Sequence, residues 1–315
     1  LTDPQLADAE KLIHQLYEAG ADALIVQDMG ILKMNLPPIA LHASTQTDNR
    51  TVEKVKFLQD AGFSRVVLAR ELSLKQITEI ASQTNVELEA FVHGALCVSY
   101  SGQCYISESM TGRSANRGQC AQFCRLPYNL TDADGNVLVR NKHLLSLKDL
   151  DLSDYIPELL EAGVMSFKIE GRLKDIDYVK NITSYYRKKL DASIEQKPDY
   201  SRASSGKTTI LFEPNPEKSF RRNATDYFLN GRHNAIIQPE TPKSLGEPIG
   251  KVLNVKRNAI ELENGHLLNN GDGLCFINKK EELEGFRLNT VQAQGNQKTA
   301  ICFPDIMPEI EAGTL

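Results

Sequence analysis

Four of the six cysteines fall between residues 97 and 124, in the stretch HGALCVSYSGQCYISESMTGRSANRGQCAQFCRLPY. Cys97, Cys104, Cys120 and Cys124 are spaced C-x6-C-x15-C-x3-C. Thiols at this density cross-link in pairs, hold a soft metal or act as nucleophiles. The chain opens with no basic segment leading into an apolar one, and no apolar run is long enough to span a bilayer. It therefore reads as cytoplasmic, where disulfides are disfavoured. Four thiolates suit structural zinc or a [4Fe-4S] cluster. Zinc usually takes two short knuckles, and only Cys120 and Cys124 form one, so the cluster is the preferred expectation beside zinc and unliganded thiols. Gly94, Gly102, Gly112 and Gly118 let the stretch bend. It has neither helical nor strand periodicity, so metal binding would help to order it. Cys275 in GLCFI and Cys302 in AICFP read as small buried hydrophobes.

The elements that must position these thiols show in a repeated phrase. LYEAGADALIVQD, FLQDAGFSRVVLARE and LLEAGVMSFKIEGR each pass from a helix end through a glycine into a short apolar run. Gly20, Gly62 and Gly163 fit helix C-caps. With IALHAS and VELEAFVHG, the pattern predicts parallel strands near residues 23–27, 40–44, 65–69, 87–92 and 165–169. No glycine-rich dinucleotide fingerprint follows any of them, which favours a TIM-like (β/α)8 barrel over a Rossmann sheet. Five of eight strands and a first residue Leu1 lead to the expectation of N-terminal truncation. A missing segment or an oligomeric partner would then cover the open strand edges. The expected domains are a partial barrel over 1–196 with the cysteine excursion at 93–128, a linker over 197–205, and a small β-barrel or sandwich over 206–315. In the last, Asn264-Gly265 signals a hairpin, and Gly271 and Gly273 a further turn.

Polar residues gather where the predicted strands end, which in a barrel is the catalytic face. They are Gln27 and Asp28, then Ser44, Thr45 and Gln46, then Arg70 and Glu71, then His93, then Lys168, Glu170 and Arg172. His93, Lys168 and Glu170 are the candidate catalytic groups, His93 and Glu170 as proton carriers. A mutual ion pair of Glu170 with Arg172 is the alternative. Arg70, Gln46, Arg113, Arg117 and Arg172 are candidate substrate-binding residues, since a guanidinium can take a carboxylate or phosphate in bidentate fashion. A net charge of -5 excludes nucleic-acid binding by bulk electrostatics but leaves local basic sets. One is Arg113, Arg117, Arg125, Arg172 and Lys174; another is Arg187, Lys188 and Lys189. Either is also explained as a solvated surface.

The run EAFVHGALCVSYSGQC, with LARELSL, TGRSANRGQCAQFCR and FKIEGR, resembles the signature of the collagenase-like peptidases, peptidase family U thirty-two. The resemblance implies three further βα units ahead of Leu1 and an iron-sulfur cluster on Cys97, Cys104, Cys120 and Cys124. It implies kinship with proteins that hydroxylate RNA, at wobble uridine of tRNA with prephenate as precursor or at a cytidine of 23S rRNA, and with others that support ubiquinone hydroxylation. SFRRNATDYFLNGR resembles the family's entry to a second domain, although Arg221, Arg222 and Asn223 depart from its usual pattern. LGEPIGKV points to the RNA-modifying branch. The expected function is thus hydroxylation of a tRNA or rRNA base, dependent on a 4Fe-4S cluster, with prephenate or a derived small anion as a further ligand and no membrane partner. Proteolysis by Cys97 with His93 is the first alternative. No HExxH motif supports a metalloprotease. A non-catalytic RNA-binding scaffold is the second alternative.

Overall fold

The computed structural model describes residues 1–263, 268–294 and 299–315. Helix α1 (Asp3–Glu18), strands β1 (Ala23–Val26) and β2 (Ala40–Ala43), helix α2 (Val52–Asp60), strand β3 (Arg65–Val67), helix α3 (Leu74–Gln83) and strand β4 (Glu87–Gly94) come first. Short helix α4 (Ile106–Thr111) and the hairpin of β5 (Tyr128–Thr131) and β6 (Val137–Lys142) follow. Then come β7 (Asp149–Asp151), α5 (Ile156–Glu161), β8 (Val164–Ile169), α6 (Ile176–Glu195) and two-residue β9 (Ala224–Thr225). The last strands are β10 (Val252–Lys256), β11 (Ala259–Glu263), β12 (Gly273–Ile277), β13 (Leu283–Gln294) and β14 (Thr299–Pro304). Two compact units result. The first contains Leu1–Phe123, Asp149–Glu213 and Ala224–Ile236; the second contains Cys124–Lys148, Pro214–Asn223 and Ile237–Leu315.

In the first unit, side-chain caps start the helices. Thr51 Oγ1 accepts the Lys54 N–H, Ser73 and Gln76 cap each other, and Asp175 accepts from Tyr178 N. The chain then reverses at Gly20, Gly62 and Gly163, all at positive φ just beyond α1, α2 and α5. The five strands expected from the sequence lie side by side and parallel, in the order β1-β2-β3-β4-β8. β7 adds antiparallel to the end of β4, pairing His93 with Asp151, and β9 joins β7 in parallel.

Burial is not uniform along the strands. Leu24 and Val26 of β1 are buried, whereas Ile25 between them is 53% exposed. Side chains alternate across a strand, and helices α2 and α5 pack on β3 and β8. That side carries Val55, Leu58, Leu159 and Ile182 into a closed core. Following the register from Ile25 through His42 and Arg65 to Glu87, and from Val67 through Glu89 to Ser166, the opposite side is largely polar. Residues expected as a linker are tied into this unit: Arg202 grips Asp191 of α6 and the Tyr200 hydroxyl donates to the Leu160 carbonyl.

The second unit holds an antiparallel sheet in the order β10-β11-β14-β13-β12. Its core is Val252, Ile260, Leu262, Phe276, Leu288, Ala300, Cys302 and Ile310. The expected Asn264-Gly265 hairpin lies outside the described residues. Cys302 is fully buried, and burial pushes its thiol up to about 11. Cys275 corrects the sequence expectation, for it is exposed. Strand alternation turns its neighbour Phe276 inward and leaves the Cys275 thiol on the Leu245 carbonyl at 3.3 Å. Among the described residues no helix is long and apolar enough to cross a membrane.

The two outer cysteines should therefore separate experimentally. Cys302→Ser places a hydroxyl in an apolar core and should cost about 1–3 kcal/mol in denaturant melts, whereas Cys275→Ser should stay close to wild type. Equal losses would contradict the register of β12.

Candidate functional site

Three strand ends of the first unit converge on the start of the cysteine excursion. Asn49, fully buried, donates to the carbonyls of Ser44 and Val67 at 2.9 and 2.8 Å and so ties the end of β2 to that of β3. The Glu71 carboxylate then accepts both the backbone N–H of Ser101 (3.0 Å) and its hydroxyl (2.9 Å). Buried Thr45 donates to the Leu68 carbonyl at 3.1 Å and reaches Ser101 Oγ at 3.4 Å. Gly102 approaches the Gln46 carbonyl so closely that a Cβ would lie 2.1 Å from its oxygen, and its φ of +74 is left-handed. Gln103 donates to Asp48, which also pairs with Arg50. The turn between Cys97 and Cys104 is thereby fixed to β2 and β3. Gln46, expected as a substrate ligand, contributes here through its backbone.

Arg70 occupies the next layer. Its guanidinium carbon stands 3.6 Å from the centroid of the Phe91 ring, and Nη2 is 3.5 Å from Glu170 Oε2. Burial pulls the Arg70 pKa down from the ordinary guanidinium value, while Glu170 and then Cys97 act in the opposite direction. A small cavity is lined here by Arg70, Phe91, Leu150, Leu152 and Asp226 among others. Gly94 permits the close passage of the chain, since a Cβ there would meet the Glu170 carbonyl at 2.5 Å. Glu170 takes the backbone N–H of Arg172 rather than its guanidinium, so the pair anticipated between those side chains is replaced by Glu170 with Arg70. Arg172 itself is exposed.

Lys168 and His93 stand on different sides of the sheet. Lys168 Nζ lies 3.1 Å from Glu89, whose carboxylate also accepts from Arg65 (3.2 Å) and Ser166 (2.8 Å). Burial alone would raise the Glu89 pKa, but Ser166, Lys168 and Arg65 outweigh it and hold the carboxyl below its usual range. The register shift between Phe91 and His93 turns the imidazole to the opposite side from Lys168. There His93 is 3% exposed, with Nδ1 3.3 Å from the Tyr186 hydroxyl of α6 and the ring edge-on to that tyrosine. Tyr186 donates to the Val92 carbonyl at 2.8 Å, and its oxygen lies 3.2 Å from Asp151 Oδ1. His93 does not share one open mouth with Lys168, because the bulge in β4 reverses its side. Sequence reading passed over Asn49, Glu89 and Tyr186, although an acid inside the apolar run VELEAFVHG is a visible signal.

Among the described residues no disulfide joins any of the six cysteines. Cys97 and Cys120 are exposed and Cys104 is half-buried, all in the first unit, while the second unit begins at Cys124. Cys104 N–H bonds to Asn116, Ala121 N–H to Ser107 of α4, and Gln122 N–H to the Cys120 sulfur at 3.3 Å. Backbone N–H groups directed at thiolate are the hydrogen bonds that tune an iron-sulfur centre, so the donors fit a soft metal in kind. Among the described residues no three His, Cys, Asp or Glu side chains are gathered closely enough to hold one. Arg113 donates to the Cys120 carbonyl and Arg117 to Gln5. The set Arg187, Lys188 and Lys189 is engaged by Asp191, Glu213 and Asp154, which makes it a surface of ion pairs.

A family model described as Peptidase family U32 matches residues 1–239. The chain is 54% identical over 308 residues to the 23S rRNA 5-hydroxycytidine C2501 synthase of Escherichia coli (strain K12), covering 98% of this chain and 47% of that protein. It is 32% identical over 309 residues to tRNA hydroxylation protein P1 of Bacillus subtilis (strain 168), covering 94% and 72%. It is 34% identical over 208 residues to a collagenase of Porphyromonas gingivalis (strain ATCC BAA-308 / W83), covering 60% and 49%. The chain thus spans less than half the length of the first of these relatives.

Two outcomes follow from the site. Gly102→Ala should lower stability by about 1–3 kcal/mol, the scale of a forced left-handed residue, and should speed alkylation of Cys97 and Cys104. Unchanged melting would contradict the close approach to Gln46. The depressed pKa of Glu89 contributes stability that is complete above its unfolded value near 4.3 and is lost as pH falls through the lower folded value. Lys168→Met should accordingly destabilise the protein at pH 7, with the gap to wild type closing below about pH 4 as Glu89 is protonated in both. A gap that persists at low pH would assign the effect of Lys168 to packing.

Proposed function

Because the chain belongs to peptidase family U32, we propose that it is the greater part of the catalytic region of an RNA base hydroxylase acting on 23S rRNA or tRNA in the cytoplasm. The observation that carries this is the 54% identity over 308 residues to an rRNA hydroxycytidine synthase. The peptidase name is a family label and does not set the chemistry. The parallel run β1-β2-β3-β4-β8 is taken as part of a (β/α)8 barrel, whose strand ends would make up the catalytic face.

Cys97, Cys104 and Cys120 are assigned as thiolate donors to a 4Fe-4S cluster, with Cys124 completing the set by sequence. When bound, such a cluster supplies redox or Lewis-acid chemistry beside the base. The remaining roles belong to the protein's own side chains. Arg70, flattened on Phe91 and paired with Glu170, presents a planar fork for a carboxylate or phosphate, prephenate or a related small anion included. Glu170 Oε2 is the proton acceptor next to that fork. His93, enclosed by Tyr186 and Tyr178, positions the end of β4. Lys168 neutralises Glu89 and keeps the polar side of the sheet intact. A peptidase would instead require Cys97 to be activated by His93 as its base.

Anaerobically reconstituted protein should bind about four irons per chain, the number in a [4Fe-4S] centre, and serine at Cys97, Cys104 or Cys120 should abolish uptake while Cys275→Ser leaves it intact. Stoichiometric zinc without iron would overturn the cofactor assignment. In cells lacking the native gene, the complete protein should restore a hydroxylated base by RNA mass spectrometry, and Cys104→Ser or Arg70→Ala should not. An unchanged RNA profile, together with peptide cleavage that is lost in Cys97→Ser, would establish the peptidase instead.

A further inference from the structure

Tyr100 lies between Cys97 and Cys104 and is 44% exposed, yet it is fixed from several directions. The guanidinium carbon of Arg50 stands 4.4 Å from its ring centroid, and Arg232 Nη2 donates to its hydroxyl at 3.1 Å. Its neighbours are clamped as well, Ser101 by Glu71 and Gly102 against Gln46. Arg232 continues the series, 5.1 Å from the Phe228 ring, and Phe228 stacks on Tyr227 at 4.0 Å with an interplanar angle of 18°. Cation and ring thus alternate through Arg50, Tyr100, Arg232 and Phe228.

The two arginines differ in charge balance. Arg50 is paired with Asp48 and lies 3.9 Å from Glu71, so its charge is spent within the protein. Exposed Arg232 forms no ion pair among the described residues, and its hydrogen bond is to the Tyr100 hydroxyl and not to a carboxylate. A rigid ring beside an uncompensated guanidinium matches two parts of a nucleotide at once. Aromatic faces stack on unpaired bases of any sequence, and a guanidinium binds phosphate. Ordering both groups before binding lowers the conformational entropy lost when a ligand arrives.

We propose that Tyr100 and Arg232 are a docking site for single-stranded RNA, in which the Tyr100 ring stacks an unpaired base and Arg232 holds an adjacent phosphate. This rests on the reading of the protein as an RNA-modifying enzyme and specifies the form of RNA it takes. A base inside a duplex has no free face to offer Tyr100, so the site selects loops and splayed nucleotides. The stacked base would lie next to the turn that carries Cys97 and Cys104, a placement suited to a base about to be modified.

The test is binding of the chain to a fluorescent single-stranded RNA of about twelve nucleotides, within the span a nucleic-acid-binding fold contacts, followed by anisotropy over a range of salt. The same RNA annealed to its complement serves as the duplex probe. Tyr100→Ala should weaken single-strand binding by about tenfold or more, and Tyr100→Phe, which keeps the ring, by less than about threefold. Arg232→Ala should weaken binding and reduce the salt slope by about one, whereas Arg232→Lys should keep the slope. Lys197→Ala, at the distant Glu161 pair, should match wild type. Unchanged melting and unchanged alkylation of Cys97 and Cys104 in Tyr100→Ala would assign the loss to the ring itself. Tight wild-type binding that neither variant alters, or equal affinity for duplex, would overturn the site and leave the RNA reading standing. Failure of the wild-type chain to bind RNA at any salt would count against the RNA reading as well.

Discussion

The carboxylate of Glu71 accepts two hydrogen bonds from a single residue, Ser101, and that contact organises the excursion. A loop rich in glycine and serine has high conformational entropy and little apolar surface to bury, so it needs polar anchors to take one shape. Glu71 is itself set by β3, which pairs with β2 and β4 on either side. Through Ser101 the order of the parallel sheet passes into the turn between Cys97 and Cys104. The backbone of Gln46 and the side chain of Asn49 reinforce the same junction from β2.

Charge is distributed on the two sides of the sheet by different rules. On the helix side His93 is enclosed by tyrosines, where an imidazole needs hydrogen-bonding partners and Tyr186 supplies one. On the other side Glu89 is 6% exposed and is stabilised by three donors from β3 and β8. Removing any one donor leaves a buried carboxylate short of compensation, which costs more than the pair contributes when whole. Arg70 belongs to neither arrangement. It lies over an aromatic ring with one carboxylate beside it.

Much of this was legible in the residues. The acidic-Ala-Gly phrases marked where α1, α2 and α5 end, because glycine takes the left-handed turn at least cost and the following apolar run must pair. Polar residues at strand ends pointed to the junction that includes Thr45, Arg70, Glu71 and Glu170. The side on which a strand residue lies was harder to read. His93 follows a one-residue bulge, and such a bulge reverses a side chain without altering the hydrophobic pattern. Cys275 was misplaced for a related reason, since an apolar neighbourhood in sequence does not say which of two adjacent residues turns inward.

The sequence by itself determined the local quantities: where helices start and stop, that the five strands β1, β2, β3, β4 and β8 run parallel, and that four thiols lie close along the chain. These follow from backbone propensity, side-chain period and covalent spacing, all of which act over a few residues. Only the tertiary structure decided the partners. Glu170 meets Arg70 rather than Arg172, Glu89 joins Arg65 to Lys168, and Tyr100 is held by Arg50 and by Arg232, far apart from it in sequence. Pairing at such separations depends on strand order and register, which are properties of the whole sheet and not of any segment within it.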